Sequence, residues 1–265
     1  MPKSGTIPIA LTIAGSDSGG GAGVQADLKT FASLGVHGTS ALTCITAQNP
    51  KRVLAIQACR PEIVREQMEA VFEALPPAAV KTGMLYSAEI IRVVAKFFRA
   101  NRHIPLVVDP VMISTSGARL LKPSAILLLK SDLLPLATLV TPNLDEAEIL
   151  TGRELKSVEG LRWAAKQIRK EFGCAALVKG GHLRHSKDAI DIFFDGENEL
   201  LLSAPFVKGV HTHGTGCTYS AAVTGYLALG YELPEAVAQA KEYISQAIVQ
   251  SQAAGKHQVL NPFWR

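Results

Sequence analysis

Apolar residues along the chain form short runs that alternate with longer segments in which they recur every three or four positions, a pattern typical of buried strands and covering helices. In Val24–Leu34, for example, Val24, Leu28, Phe31 and Leu34 share one helical face. The short runs predict strands at Ile7–Ala14, Ser40–Thr46, Val80–Lys81, Leu106–Asp109, Leu139–Thr141 and Ala175–Lys179, and an antiparallel pair at Ile190–Phe194 and Leu200–Ser203. The longer segments predict helices at Val24–Leu34, Pro61–Leu75, Ala88–Arg99, Asp145–Leu150, Val158–Phe172, Ser220–Leu229 and Pro234–Ala253.

Strands and helices that alternate in this way predict an α/β fold, with a mostly parallel central sheet and helices on both faces. Neither a linker nor an internal repeat interrupts the pattern, so we expect residues 1–265 to form a single domain. In such sheets ligands bind beyond the carboxyl ends of the strands. Polar and glycine residues follow the predicted strands at Gly15-Ser16-Asp17, Thr82-Gly83-Met84, Asp109-Pro110, Thr141-Pro142-Asn143 and Gly180-Gly181-His182.

The composition fits one large globular domain. Hydrophobic residues make up 48% of the 265 residues and charged residues 19%, and the net charge is +4. No basic block with interleaved aromatic residues is present, so we expect no nucleic-acid partner, and no apolar run suits a membrane span. The N-terminus lacks the pattern of a signal peptide. The four cysteines show no C-x-x-C spacing, which argues against structural zinc or a disulfide framework and favours the reducing cytoplasm.

A glycine-rich segment, Gly15–Gly23, joins the first predicted strand to the first helix. No Lys-Ser or Lys-Thr pair completes a Walker loop, and Val24 stands where the last glycine of a dinucleotide-binding motif belongs. Two interpretations are open from the residues alone. The segment is either a flexible surface turn or a place where the backbone approaches a ligand closely.

A second glycine-rich segment, Gly214-Thr215-Gly216-Cys217, precedes an apolar helical run. Backbone N–H groups at a helix start converge on anions, so this segment predicts a phosphate site. The helix dipole at this position favours a thiolate on Cys217. The alternative is an ordinary helix start with an inert, packed cysteine.

Two further motifs carry candidate ligands. Asn143 and Glu146 open a helix, and their spacing by itself predicts an N-cap rather than a magnesium–phosphate site. Lys179 ends a buried strand and could reach a nucleotide phosphate as a point charge, or simply lie in solvent. His182 alone predicts no catalytic role, and His211 and His213 lack a third partner at metal-ligand spacing.

Taken together, these segments resemble the ribokinase-like superfamily and, within it, the hydroxymethylpyrimidine/phosphomethylpyrimidine kinases of thiamin biosynthesis. The resemblance spans nearly the whole chain. The matching segments are 14–20, 23–30, Thr46-Ala47-Gln48-Asn49, 81–85, Asp109-Pro110-Val111-Met112, 141–147, Lys179-Gly180-Gly181-His182 and 213–218.

The resemblance implies transfer of the ATP γ-phosphate to the hydroxymethyl group of 4-amino-5-hydroxymethyl-2-methylpyrimidine, and a second transfer onto the resulting monophosphate. It implies that Gln48 pairs with the aminopyrimidine edge, and that four further residues surround the pyrimidine: Ala22, Asp27, Thr46 and Met84. Gly214, Thr215 and Gly216 would form an anion hole. Cys217 stands where most ribokinase-like kinases carry an aspartate base, and would accept the proton of the substrate hydroxyl.

The same resemblance implies that Asn143 and Glu146 serve Mg²⁺ and the phosphates, with Glu146 on the metal, and that Lys179 and Lys241 contact ATP. It also favours a homodimer. Related pyridoxal kinases carry a second cysteine in the flap after Met112, where this chain has Ile113-Ser114-Thr115-Ser116-Gly117. That difference lowers, without removing, the alternative of a vitamin B6 kinase. A metabolite-binding regulator and a sugar kinase are the remaining alternatives.

Overall fold

The computed structural model describes residues 5–113, 121–181, 183, 188–207 and 213–264. Its strands are β1 Ile9–Asp17, β2 His37–Asn49, β3 Arg52–Ala58, β4 Ala79–Thr82, β5 Leu106–Val108, β6 Leu139–Val140, β7 Ala175–Lys179, β8 Asp188–Phe194, β9 Glu199–Pro205, β10 Gln252–Ala254 and β11 His257–Val259. Its helices are α1 Gly23–Ser33, α2 Pro61–Ala74, α3 Ala88–Ala100, α4 Pro123–Leu128, α5 Leu144–Thr151, α6 Val158–Phe172, α7 Thr215–Ala228 and α8 Leu233–Val249.

The strands β1 to β9 form one sheet in the order β3-β2-β1-β4-β5-β6-β7-β8-β9. The six central strands, from β2 to β7 in this order, are parallel, while β3 pairs with β2, and β8 with both neighbours, in antiparallel fashion. This confirms the predicted α/β class. Parallel strands place their carboxyl ends along one edge of the sheet, so the segments that follow β1, β4, β5, β6 and β7 are brought together there.

Both faces of the sheet are covered, as the continuous apolar runs of the central strands require. In β5 the alternation is visible: Leu106 and Val108 pack into the core beneath α2, α3 and α6, whereas Val107 packs against α7 and α8. Helix α1 lies with α7 on this second face. The single-domain organisation of residues 1–265 stays a prediction.

Most predicted elements are present, and the differences have local causes. Strand β3 was not predicted because it is an edge strand whose side chains are largely exposed, so it lacks a clear apolar alternation. The leucine-rich segment of α4 continues into a π turn, Leu129–Leu133, and a 3-10 turn, and it fits no single period. Helix α8 ends at Val249 and is followed by the hairpin β10–β11.

Helix α7 begins at Thr215 rather than at the predicted Ser220. Glycine and threonine are poor helix formers, so the local pattern hid its first turn. Cys217 is therefore the third helical residue, not a residue that precedes the helix. In the described residues no helix is long and apolar enough to cross a membrane. All four cysteines are free thiols.

Candidate active site

The glycine-rich loop between β1 and α1 folds around one carboxylate. The side chain of Asp17 accepts hydrogen bonds from the backbone N–H groups of Gly19 at 2.8 Å, Gly21 at 3.1 Å and Ala22 at 2.9 Å. Burial acts to raise the pKa of Asp17, but the hydrogen bonds from His213 and from these amides outweigh it and hold the pKa below its usual value. The carboxylate is thus charged at neutral pH and gives a glycine-rich loop a defined shape.

The same carboxylate joins the two glycine-rich segments. Nε2 of His213 lies 3.0 Å from Oδ2 of Asp17. Gly214 has φ +82°, and a Cβ atom there would overlap the carbonyl oxygen of Gly21. A Cβ on Gly21 would in turn lie 2.8 Å from the His213 ring. Only glycines allow this backbone contact, which brings Ala22 next to Gly214.

The predicted anion-hole residues lie in the first turn of α7. Gly214 is its N-cap, and the first intrahelical bond runs from Thr218 N–H to the Gly214 carbonyl at 2.9 Å. N–H groups of a first helical turn have no intrahelical acceptor and so can bind an anion. Nζ of Lys179 lies 3.2 Å from where a Gly216 Cβ would stand. The structure therefore brings Lys179 next to Gly216.

Cys217 differs from its prediction in protonation. Burial raises the pKa of its thiol to about 11; the carboxylates of Asp109 and Asp27 act in the same direction, while Lys81 and a backbone hydrogen bond with Gly23 act against it. The expectation of a resting thiolate at the helix N-terminus is therefore wrong for the protein without ligands. Loss of hydration outweighs the helix dipole here, and the thiol is neutral at pH 7.

Asp27 lies in the interior rather than open to the pocket. Its Oδ1 is 2.6 Å from Nζ of Lys81, its Oδ2 accepts a hydrogen bond from Thr12 at 2.6 Å, and Asp27 and Lys81 are both 0% exposed. Both carboxylate oxygens are thus engaged by this chain. Burial acts to lower the pKa of Lys81, but Asp27 outweighs it and raises that pKa, so the ammonium is charged.

The residues expected at the pyrimidine surround the beginning of the first glycine-rich loop. Thr46 donates to the Ser16 carbonyl at 2.6 Å, and its hydroxyl also lies 3.3 Å from Oε1 of Gln48. The pairing of β2 with β3 shifts register between positions 47 and 48, which gives Gln48 its place at the end of the strand. The sulfur of Met84 lies 3.8 Å from where a Gly15 Cβ would stand.

A second group of charges lies at the ends of β5, β6 and β7. Oδ1 of Asp109 accepts hydrogen bonds from Lys179 and from Thr141, each at 3.1 Å. Burial acts to raise the pKa of Asp109, but Lys179 and Lys81 outweigh it and lower the pKa. The sequence analysis assigned Asp109 no role of its own, although a carboxylate directly after a buried strand was its signal.

Asn143 and Glu146 form the N-cap that their spacing predicts. The Asn143 side chain accepts from the Glu146 N–H, and Glu146 accepts from the Asn143 N–H, each at 2.9 Å. Glu146 is nevertheless only 3% exposed, and burial raises the pKa of its carboxyl group to about 8, although Lys179 acts against it. The carboxyl group thus caps a helix and also lies beside the site charges.

Lys241 lies elsewhere. Its Nζ donates to Asp191 at 2.7 Å and to the Ala189 carbonyl at 2.8 Å, and so ties α8 to β8. Asp191 also accepts from the N–H of Gly180 at 3.0 Å, and it is paired with Lys179 across strands β7 and β8. His182, His211 and the flap residues Ser114–Arg119 lie outside the described residues.

The sequence placed Asp17, Asp109 and Thr141 at the ligand-binding edge without giving them roles, and it gave no individual role to Thr12 or Lys81. Each lies on a buried strand or directly after one. A polar residue inside an apolar run is a usable signal, but its partner comes from a distant segment. That partner is visible only once the sheet is assembled.

Comparisons with known proteins agree with this arrangement. The family model described as phosphomethylpyrimidine kinase matches residues 17–261. A hydroxymethylpyrimidine/phosphomethylpyrimidine kinase of Synechococcus elongatus is 47% identical over 252 residues, which cover 95% of each chain. A solved phosphomethylpyrimidine kinase of Clostridium difficile is 46% identical with a TM-score of 0.81, over 92% of this chain and 100% of that one. A Bacillus subtilis pyridoxal kinase, solved with ADP, is 38% identical with a TM-score of 0.88 over 97% of both.

The sheet and the structural neighbours define a kinase with the ribokinase-like fold. Within that class, the chain belongs to the phosphomethylpyrimidine kinase family. The predicted fold, family and enzyme class are therefore confirmed.

Proposed function

We propose that this protein transfers the γ-phosphate of ATP to the hydroxymethyl group of 4-amino-5-hydroxymethyl-2-methylpyrimidine, and then phosphorylates the monophosphate to the diphosphate for thiamin biosynthesis. One observation supports this most directly. The loop Gly15–Gly23 contacts the predicted pyrimidine residues Thr46 and Met84 on one side and Gly214 and Cys217 on the other. An alcohol substrate bound on one side of this loop and a phosphate donor bound on the other would therefore lie next to each other.

At the acceptor end, Gln48 would hold the aminopyrimidine, because a primary amide offers both a donor and an acceptor to that edge. Ala22, Thr46 and Met84 would line the ring. Asp27 would not hydrogen-bond the substrate directly, since both its oxygens are already bound to Lys81 and Thr12. The Thr46 hydroxyl, whose one proton goes to the Ser16 carbonyl, lies beside the Gln48 amide.

At the phosphate end, the N–H groups of Gly214, Thr215 and Gly216 would bind the transferred phosphoryl group, with Lys179 as the adjacent cation. Phosphoryl transfer has a loose transition state, so positioning and neutralised charge supply most of the catalysis. ATP is the donor expected for this kinase family, and a structural neighbour binds ADP. Lys241 is the weaker candidate for an ATP contact, because Asp191 already holds its ammonium group.

The site also fits Mg²⁺. In the part of the chain that the structure describes, no group of three or more His, Cys, Asp or Glu side chains is arranged to hold a metal. Mg²⁺ does not need such a cage, since it is usually bound by one or two carboxylates, waters and substrate phosphates. Glu146 would provide the carboxylate and Asn143 would lie beside it. The metal would neutralise charge on the transferring phosphates.

Cys217 would accept the proton of the substrate hydroxyl. Since its resting thiol is neutral, only the thiolate fraction would serve as the acceptor. A weak base suffices here, because the alcohol becomes strongly acidic as its oxygen bonds to phosphorus.

The test follows mono- and diphosphate formation from the pyrimidine alcohol and Mg-ATP. Cys217→Ala should lower kcat by about 100-fold or more, the usual contribution of a positioned proton acceptor, while binding of the pyrimidine holds. Cys59→Ala is the matched control, since this half-buried cysteine lies at the far end of β3. Full turnover by Cys217→Ala would contradict the proton-acceptor role. The absence of both products from the wild-type protein would contradict the function.

A vitamin B6 kinase is the second candidate, because a neighbour with the higher TM-score is a pyridoxal kinase. Measured kcat/KM values for the pyrimidine alcohol and for pyridoxal separate the two, and we expect the pyrimidine to be preferred. A homodimer is the proposed assembly, since closed two-fold dimers are the commonest soluble oligomers. Four free thiols support a reducing compartment, for which we propose the cytoplasm.

A further inference from the structure

A buried ion pair lies under the active site and has no part in the roles described so far. Nζ of Lys81 is 2.6 Å from Asp27, and neither side chain is exposed. A buried ion pair is weak evidence for stability, because apolar residues of similar volume are often at least as stable. We therefore look for a functional reason for this buried ion pair.

The ammonium group of Lys81 is only partly used by Asp27. It has three N–H donors, and among the described residues its one hydrogen-bond acceptor is Oδ1 of Asp27. Asp27 is fixed in turn by Thr12. The Lys81 side chain is 0% exposed, so water does not replace the missing acceptors from outside. The charge is thus held in place by one carboxylate, with N–H donors to spare.

Helix α7 packs against β4, which carries Lys81. Four charged groups act on the Cys217 sulfur: Lys81 from β4, Lys179 from β7, Asp27 from α1 and Asp109 from the segment after β5. Both lysines have a carboxylate partner, but Lys179 faces the proposed anion hole at Gly216, where a bound phosphate would engage its charge. Lys81 lies on the strand that packs against α7, and it is the cation that we assign to the sulfur.

We propose that Lys81 is a positioning residue for catalysis, whose ammonium, fixed by Asp27 and Thr12, stabilises the thiolate of Cys217. This inference rests on the proposed role of Cys217 as proton acceptor. The thiolate takes the hydroxyl proton as the substrate oxygen bonds to phosphorus, and becomes a neutral thiol. Between turnovers the thiol returns that proton to water.

The test measures alkylation of Cys217 by iodoacetamide in the free enzyme at pH 8, followed by mass spectrometry of the peptide that contains it. Lys81→Met should lower the thiolate fraction about tenfold or more. A more basic thiolate is also more nucleophilic, so the net fall in rate should be about threefold or more. Asp109→Asn removes a negative charge that acts on the sulfur while Asp27 still holds the Lys81 ammonium, so the rate should rise.

The opposite signs separate this inference from a structural role, because simple loosening of the site would speed alkylation in both variants. Lys130→Met is the control: it breaks the ion pair of another lysine, which lies outside the site and pairs with Glu171, and it should leave the rate unchanged. If Lys81→Met does not fold, Asp27→Asn/Lys81→Met leaves no unpaired charge, and should still slow alkylation, by less than the single change.

Activity supplies the second readout. In Lys81→Met, kcat for the pyrimidine alcohol should fall together with the alkylation rate, while the KM for ATP holds. An unchanged or faster alkylation rate overturns the inference, whatever the activity. Slower alkylation with unchanged kcat instead overturns the role of Cys217 as proton acceptor.

Discussion

Single residues in this site are governed by burial as much as by their chemical type. Cys217 stands in the first turn of a helix, where the dipole favours a thiolate, yet burial raises the pKa of its thiol to about 11. Glu146 caps a helix in the ordinary way, yet burial also raises the pKa of its carboxyl group. Motif and position identify such residues, but the protonation state depends on the assembled surroundings.

Gln48 provides the clearest test of substrate recognition by one side chain. Gln48→Leu keeps the approximate size but removes both hydrogen-bonding groups, so the aminopyrimidine edge would be left unpaired at a cost of about 2 kcal/mol. We expect the KM for the pyrimidine alcohol to rise roughly 30-fold, with kcat and the KM for ATP changing little. Steady-state kinetics with each substrate varied in turn measure this.

Gln57→Leu is the matched control for that change. Gln57 is an exposed residue on the neighbouring strand β3, paired with Ile45, and should leave both KM values unchanged. An unaltered KM for the pyrimidine in Gln48→Leu would remove Gln48 from the binding site.

Motifs in the sequence alone gave most of the candidate site residues, and the structure places Thr46 and Met84 beside the first glycine-rich loop and Lys179 beside Gly216. The sequence could not show that Asp27 is buried under Lys81, because the two residues belong to different elements. The link between Asp17 and His213 was hidden for the same reason. Contacts between segments that are distant in the sequence can be recognised only once the strand order and register of the whole sheet are known.

At the scale of elements, the site depends on how closely two backbone segments approach. The loop after β1 and the segment before α7 touch at Gly21 and Gly214, with no room for a side chain between them. The hydrogen bond between Asp17 and His213 holds the same two segments together. The acceptor and phosphate ends of the site are therefore coupled by backbone packing.

Gly214→Ala tests this coupling. The new methyl group would overlap the Gly21 carbonyl, and alanine is also strained at φ +82°. We expect the two segments to separate, with a loss of about 1–3 kcal/mol in the free energy of unfolding and a large fall in kcat/KM for both substrates. Urea unfolding and steady-state kinetics measure the two effects.

Gly173→Ala controls for backbone strain alone. Gly173 ends α6 with φ +78°, and nothing lies within 4 Å of an added Cβ. It should lose about 1 kcal/mol of stability while activity is kept. Equal losses of activity in Gly214→Ala and Gly173→Ala would show that backbone strain, and not the contact between Gly21 and Gly214, causes the loss.

The bounds of a helix or strand could be predicted best where its buried residues recur with a regular period. Helix α6 and strand β7 have the predicted bounds because each has one clear buried pattern. The exposed edge strand β3 gave no such signal, and the start of α7 is set by its packing and by the glycines that enter it. The first turn of α7, where local propensity fails, is also the proposed anion hole.

At the scale of the molecule, the parallel sheet collects charges that no single element could hold. Asp109, Glu146, Lys81 and Lys179 lie at one edge, and the lysines partly balance the carboxylates. Burial acts to raise the pKa of both acids, but the lysines outweigh it at Asp109 alone. Of these two acids, Glu146 therefore carries a proton at neutral pH and Asp109 does not. Because folding changes the affinity of Glu146 for this proton, the stability of the fold depends on pH.

Glu146 gives a stability prediction with a definite sign. Its pKa rises from 4.5 in the unfolded chain to about 8 in the metal-free fold, so the folded state binds the proton more tightly. The resulting stability is fully present below pH 4.5 and is lost as pH rises through 8, by up to about 1.4 kcal/mol for each pH unit. The lowered pKa of Asp109 acts only at more acidic pH, and so does not alter this window.

Glu146→Gln keeps the helix cap but cannot ionise, so its unfolding free energy should lack this fall between pH 5 and 8. Urea unfolding with a chelator present measures the difference from wild type, and the exposed Asp145→Asn on the same helix should keep the wild-type dependence. Parallel curves for Glu146→Gln and wild type would contradict a buried, protonated Glu146. With Mg-ATP but no pyrimidine, the wild-type protein above pH 8 should have lost less of its unfolding free energy than it has with the chelator. The reason is that a cation at the Glu146 carboxylate would compensate the charge that burial leaves unpaired.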